Sequence, residues 1–179
     1  MNKLVPLLAL ALLTQAAGCK TKDYLPKPPA TPLDQLPPET QTGQRTFGCL
    51  VNGQAWTPAG SPLGGPLISC SYMNSRLVVV VNRIIVVNGA NSFQRISLVI
   101  NKANQKGNYI LNDSTRQFAR YENFDTGCEL ISSPNQTGSI ELTRLDPVAR
   151  IAAGRFSFTI EKAGCGRVVV TEGRFDCPF

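Results

Sequence analysis

The sequence predicts one antiparallel all-β domain, a sandwich or a barrel of about ten short strands over residues 44–179. Three observations predict it. Apolar residues recur with a period of two: Phe156, Phe158 and Ile160 alternate with Ser157 and Thr159, and Ile140 and Leu142 with Ser139, Glu141 and Thr143. That spacing turns one face of each segment to a core and the other to water. Turn dipeptides punctuate the pattern, Asn52-Gly53 most clearly, because a type I′ hairpin turn needs positive φ at both central residues. No segment carries an apolar stripe at helical spacing for more than two turns.

The chain has 179 residues, room for one ordinary domain plus processing and linker segments. Asn2 and Lys3 precede the apolar stretch Leu4 to Leu13, followed by Thr14, Gln15, Ala16, Ala17 and Gly18. This is the pattern of a signal peptide over residues 1–18, too short for the roughly 20 residues of a membrane span. Ala16-Ala17-Gly18-Cys19 resembles the bacterial lipobox, so Cys19 is the expected acylated (palmitate-type) first residue of the mature chain. Lys20 rather than an aspartate follows it, which favours an outer-membrane destination.

Residues 19–43 form the expected tether. Prolines at 26, 28, 29, 32, 37 and 38 remove amide donors and favour extended geometry. From Lys20 on, such a segment reaches at most roughly 75 Å at about 3.1 Å per residue.

Within the domain, Asn52-Gly53 joins Phe47–Val51 to Gln54–Thr57 as a hairpin. Leu77–Val81 and Ile84–Val87 are continuous β-branched runs, suited to central strands covered on both faces or to a barrel interior. Further breaks fall at Asn88-Gly89, Lys106-Gly107 and Gly164–Gly166. Arg155–Glu161 and Arg167–Cys177 read as the two arms of a closing hairpin; the echo of Gly154-Arg155-Phe156 in Gly173-Arg174-Phe175 falls on neighbouring strands if that hairpin turns near Gly164, and reads as shared strand-entry chemistry rather than a duplicated site.

The chemistry offered is sparse. Histidine is absent, which removes Ser-His-Asp and Cys-His nucleophiles, histidine zinc ligation and imidazole base catalysis together. None of the six cysteines forms a Cys-x-x-Cys pair, so in an exported chain they predict structural disulfides rather than a redox or metal motif. With Cys19 acylated five remain, leaving one thiol free; Cys49, in an apolar strand, is the expected buried spectator. Any four of them allow three connectivities.

Glu122, Asp125 and Glu129 cluster around a Gly127 turn but lack a calcium-loop pattern, and glycoside hydrolysis would need two carboxylates held about 5 to 9.5 Å apart across a sugar. A solvated loop is the expectation. Phe118, Tyr121 and Phe124 cluster too, and Tyr72, Tyr109 and Trp56 are able to stack on sugars, but most of these belong in a core, Trp56 above all.

Residues 44–111 carry Arg45, Arg76, Arg83, Arg95, Lys102 and Lys106 without an acid, whereas residues 112–179 carry eight bases and nine acids. A basic face would attract anionic glycan. The expectation is instead that strands from both halves interleave and disperse the charge.

Thr46-Phe47-Gly48-Cys49-Leu50-Val51-Asn52-Gly53 followed by Trp56, the segment Gly138–Asp146, Gly154-Arg155-Phe156-Ser157-Phe158 and Val170–Asp176 together resemble an uncharacterised family of Bacteroidota envelope lipoproteins. The resemblance implies a cell-envelope location and an all-β fold, and brings no activity with it. It also suggests that Cys128 pairs with Cys165, as family-like cysteines, and Cys70 with Cys177, as the two departures.

The expected function is therefore that of a non-catalytic, lipid-anchored envelope protein whose exposed loops bind another envelope component, a protein or a glycan. Catalytic residues, cofactor, metal and nucleic-acid partner are none. The alternative is a β-barrel carrier of a small apolar ligand, which requires an open cavity of a few hundred cubic ångströms.

Overall fold

The computed structural model describes residues 30–61, 65–112 and 116–179; the signal segment, Cys19 and the start of the tether lie outside the described residues. Eleven strands follow one short 3-10 turn at Leu33–Gln35: β1 (Thr46–Val51), β2 (Gln54–Trp56), β3 (Ile68–Met73), β4 (Arg76–Val87), β5 (Ala90–Ile100), β6 (Gly107–Ile110), β7 (Phe118–Asn123), β8 (Cys128–Ile131), β9 (Gly138–Asp146), β10 (Ile151–Lys162) and β11 (Gly166–Pro178). They form two antiparallel sheets, ordered β2-β1-β11-β10-β9-β6 and β3-β4-β5-β7-β8. Neither closes into a barrel, so the fold is a sandwich.

The turn chemistry works locally. Asn52 and Gly53 take φ of 49° and 78°, and Asn88 and Gly89 take 51° and 80°, the paired left-handed geometry of tight β1–β2 and β4–β5 hairpins. Gly164 and Gly166 hold φ of 80° and 75° in the β10–β11 connection.

The core lies between the sheets. Phe47, Trp56, Phe156, Phe158, Ile160 and Phe175 project from the six-stranded sheet, and Leu77, Val79, Val81, Ile96, Leu98 and Leu130 from the five-stranded one, all buried. The indole N–H of Trp56 donates to Gln94 Oε1 at 2.7 Å, which satisfies its only polar atom. Cys70 on β3 is bonded to Cys177 on β11, and Cys128 on β8 to Cys165 in the β10–β11 turn, with Cα separations of 6.2 and 5.6 Å. Both bonds run between sheets, at opposite edges of the five-stranded one. Among the described residues Cys49 is the free cysteine, and it is buried.

Four expectations change. The two β-branched runs are one strand, β4, and it is covered on one face: Leu77, Val79 and Val81 are buried, whereas Val78, Val80 and Ile84 are half-buried and Val86 is 69% exposed. The β10–β11 hairpin forms, its arms paired from Ile151↔Pro178 to Lys162↔Gly166, but its second arm is not at an edge: β11 sits centrally between β1 and β10.

The third change concerns the echoed triplets, which are mid-strand partners. Gly154 faces Phe175, Arg155 faces Arg174 and Phe156 faces Gly173.

The fourth concerns the tether. Its last residues belong to the fold: Leu36 is buried, and Asp176 accepts hydrogen bonds from the Thr40 hydroxyl at 2.7 Å and the amides of Thr42, Gly43 and Gln44 at 2.9, 2.8 and 3.1 Å. The folded unit therefore starts before residue 44, and the strap over 36–44 shortens the free tether. A carboxylate that needs four donors recruited the backbone beside it in space, which no local sequence signal announces.

Candidate functional site

The outer faces of the two sheets differ in chemistry. On the six-stranded sheet, Ser139, Glu141 and Thr143 of β9 and Arg155, Ser157 and Thr159 of β10 turn outward, a polar face suited to water. The strap covers one end of it. Glu39 receives both the Nε and an Nη of Arg155, at 2.7 and 2.6 Å, and Arg155 also reaches Glu141 at 3.5 Å. The Arg155 hydrogen bond holds the Glu39 carboxyl below its ordinary range. Gln41 accepts from Arg144.

The five-stranded sheet carries apolar side chains outward as well as inward. Its outward positions hold Val78, Val80, Ile84 and Val86 beside Arg76 and Asn82 on β4, Phe93 and the buried Val99 beside Asn91, Arg95 and the buried Ser97 on β5, and Phe118 on β7. Phe124, 47% exposed, follows β7 and stacks edge-on against Phe93 with ring centroids 4.8 Å apart. The Arg95 guanidinium lies 5.2 Å from the Phe124 ring centre and 3.8 Å from Glu122. Arg120 lies 5.5 Å from the Phe118 ring centre and 3.2 Å from Glu129.

The β4–β5 hairpin runs past the rest of the sheet. β3 pairs with β4 only as far as Val81, and β7 with β5 only as far as Gln94. The segment before Pro66 borders the next stretch of β4, where the Ile84 amide donates to Ala59 at 2.9 Å and Arg83 donates to Thr57 at 2.7 Å. Beyond Ile84 and Phe93 the two arms pair with each other, and Val86 and Val87 are exposed there. A groove of about 900 Å³ lies at its base, lined by Gly60, Pro66, Ile84, Val86, Phe93 and Arg95 among others.

The residues singled out in the sequence are distributed as follows. Glu122 and Glu129 face each other across β7 and β8, each beside an arginine. Asp125 accepts from the Ser92 hydroxyl and from the Phe93 amide at 3.0 Å, and the Ser92 bond holds its carboxyl below the usual range. Glu122 and Asp125 tie β7 and the β7–β8 turn to β5, and Glu129 ties β8 to β7. Among the described residues no group of three or more His, Cys, Asp or Glu is placed to hold a metal ion.

Cys49 lies in the core, where burial pushes its thiol far above the ordinary range. Tyr121 is buried, Tyr72 donates to Ala103 at 2.8 Å and Tyr109 to Gln105 at 2.7 Å.

The basic half behaves in two ways. In the six-stranded sheet the second-half strands β11, β10 and β9 stand together between first-half β1 and β6, and in the other sheet β3, β4 and β5 stay side by side, so the halves adjoin rather than alternate. Arg45 and Arg83 donate to the carbonyls of Ile68 and Thr57, and Arg95 donates to Asn82, so half of the six cations are engaged with neutral groups of the fold.

Missed in the sequence were the strap and the hairpin projection. The long apolar run into Asn88-Gly89 was the available signal for the second.

The fold and this surface define a two-sheet antiparallel β-sandwich with one polar, strapped outer face and one outer face of mixed apolar and polar side chains that ends in a projecting hairpin. The chain belongs to the family described as a domain of unknown function, DUF6252, which matches residues 74–176. The match opens at the β3–β4 turn and closes at Asp176, so it takes in β4 through most of β11. No curated protein and no solved structure matches the chain.

Proposed function

We propose that this is a non-catalytic envelope lipoprotein of the Bacteroidota type, exported by its signal peptide and acylated at Cys19. It holds its sandwich at the outer membrane and binds another envelope component, a protein or a glycan, through exposed loops. The observation that carries the binding role is the β4–β5 hairpin, which extends past its neighbours and leaves Val86 and Val87 in water. Exposed apolar groups beside polar ones mark interaction surfaces in soluble domains. The anchor reading rests on the Ala16-Ala17-Gly18-Cys19 segment.

The barrel-carrier alternative has less in its support, since the inward side chains of β4, its motivating strand, are part of the packed core.

Two measurements test the proposal. Cys19→Ser should leave the chain soluble after a salt wash, because acyl chains contribute roughly 0.8 kcal/mol per buried methylene and the tether offers no substitute. A photo-crosslinking residue at Val86 should capture an envelope component in intact cells, whereas one at Val148, 96% exposed in the β9–β10 turn, should not. A membrane-bound Cys19→Ser chain overturns the anchor, and equal capture at the two positions overturns the hairpin.

A further inference from the structure

We propose that the end of the sandwich opposite the β4–β5 hairpin is a basic surface that lies against the anionic lipid headgroups of the membrane carrying the chain. This rests on the acylation of Cys19 proposed above, and adds which end of the domain meets the bilayer.

Strand order brings four cations together. Arg76 follows the β3–β4 turn, Lys102 and Lys106 lie in the β5–β6 connection, and Arg150 lies in the β9–β10 turn. The Ala103 amide donates to the Ser75 carbonyl at 2.8 Å, which joins the first connection to the second. Tyr72 donates to Ala103 and packs on Phe179 with ring centroids 5.2 Å apart, and the Phe179 amide donates to the Arg150 carbonyl at 2.9 Å. That chain of contacts joins both to the third. β6 runs antiparallel to β9 from Gly107 opposite Leu142, so Lys106 lies on the side of the β9–β10 turn. The β4–β5 hairpin closes at the other end of β4, where Val87 faces Ala90.

All four cations are exposed, and none of their side chains makes an ion pair or a hydrogen bond among the described residues. The described acids at this end are Asp146, held by Arg144 at 2.9 Å, and Asp176, buried under its four donors. With Arg144 counted, five cations meet two acids and leave +3; a free carboxylate on Phe179 would leave +2. At the hairpin end the signs are mixed: Arg167 faces Glu161, and Lys162 reaches the Glu129 carbonyl near Asp125. Charge is thus polarised along the sandwich, a distribution that draws one end towards an anionic surface.

Anionic glycan and anionic lipid share that attraction, and the tether selects the lipid. Lys20 to Gln35 is 16 residues, which reach at most roughly 50 Å at about 3.1 Å per residue. The 13 residues of β11 span roughly 43 Å at about 3.3 Å each. The bilayer is therefore held within about the domain's own length, and a tethered contact gains an effective concentration that a free glycan lacks. Clusters of Lys and Arg beside a membrane anchor are drawn to anionic headgroups within about a Debye length. The lipid is distinct from the protein or glycan assigned to the hairpin, which this orientation turns away from the bilayer.

The test incorporates the lipidated full chain into phosphatidylcholine vesicles with and without phosphatidylglycerol. Flotation with the neutral vesicles reports the acyl anchor by itself. An amine-reactive label should modify Lys102 and Lys106 about 10-fold more slowly on the anionic vesicles, with the difference gone in 1 M salt, where the Debye length is about 3 Å. Lys162 should be labelled equally on both. Arg76→Gln together with Arg150→Gln should return the two lysines most of the way to the neutral-vesicle rate, since neither arginine side chain has a partner to lose. Equal labelling of Lys102 and Lys106 on the two vesicles, or equal slowing of Lys162, overturns the surface. Soluble dextran sulfate that slows labelling as much as anionic vesicles of matched charge overturns lipid as its occupant. Failure to float with neutral vesicles overturns the anchor, and the labelling of chain added to anionic vesicles then decides the surface alone.

Discussion

Gly173 and Phe156 share one space across the β10–β11 ladder: a Cβ on Gly173 would lie 2.6 Å from carbons of the Phe156 ring and 2.5 Å from its carbonyl oxygen. The relation is reciprocal two residues on, where a Cβ on Gly154 would lie 3.0 Å from the ring of Phe175. Each glycine thus makes room for the aromatic ring of the other triplet, and Arg155 and Arg174 face each other between them.

Gly173→Ala should accordingly lower stability by about 1–3 kcal/mol, the usual cost of forcing atoms into a packed site, because carbonyl and ring would both have to move. Thermal melts compare it with Val148→Ala, at an exposed position, where little change is expected. A Gly173→Ala melt that matches wild type would mean that the ring adapts freely and the reciprocal packing is not a constraint.

Asp176 should give the domain an acid-sensitive component. Burial pushes its carboxyl up, but the Thr40 hydroxyl and the amides of Gln44, Gly43 and Thr42 outweigh burial and leave it below the ordinary value of 3.8. A folded-state depression contributes stability that is complete above the unfolded value and lost as pH falls through the folded one. Wild type should therefore lose stability on acidification below about pH 4, and Asp176→Asn should start lower and lose less over that range. At neutral pH the substitution should cost at least about 1–3 kcal/mol, since buried amides lose a charged acceptor. Denaturant midpoints measured from pH 2 to 7 check both, and parallel profiles for the two proteins would remove Asp176 as the cause.

Deletion of residues 167–179 should prevent folding. β11 lies between β1 and β10, so its loss separates the β1–β2 hairpin from the sheet, removes Val168, Val170 and Phe175 from the core and takes Cys177 with it. Those three side chains alone contribute about 1.5–3 kcal/mol each, against the roughly 5–15 kcal/mol of a typical domain. A soluble truncation with a cooperative transition like that of the full domain would contradict the central placement of β11.

Cys49 should resist alkylation in the native, oxidised protein and react once the chain is unfolded without reductant. The other four cysteines of the folded unit are bonded in pairs, and a buried thiol with a raised pKa offers neither thiolate nor access. Mass spectrometry after iodoacetamide should show modification of the folded unit at Cys49 only in the unfolded sample. Native labelling, or label on Cys70 or Cys128, would contradict the assignment.

The sequence by itself determined the all-β class, the Asn52-Gly53 and Asn88-Gly89 hairpins, the inward alternation of Phe156, Phe158 and Ile160, and the burial of Trp56. Each follows from backbone geometry or side-chain periodicity within a few residues, so neighbouring positions carry the whole signal. Tertiary structure alone decided that two sheets stay open rather than close into a barrel, that β11 is central, that β4 is covered on one side, and that a proline-rich stretch becomes a strap. Those outcomes depend on pairings between residues far apart in the chain: Asp176 with Thr40, Arg155 with Glu39, Gly173 with Phe156. Asp176 reads in sequence as one more polar residue near the C-terminus, and only the arrival of four donors from residues 40–44 makes it the fastening point of the N-terminal segment. A period of two states that a side chain faces a core or water, but what lies across from it is set by strand order, which no local preference encodes.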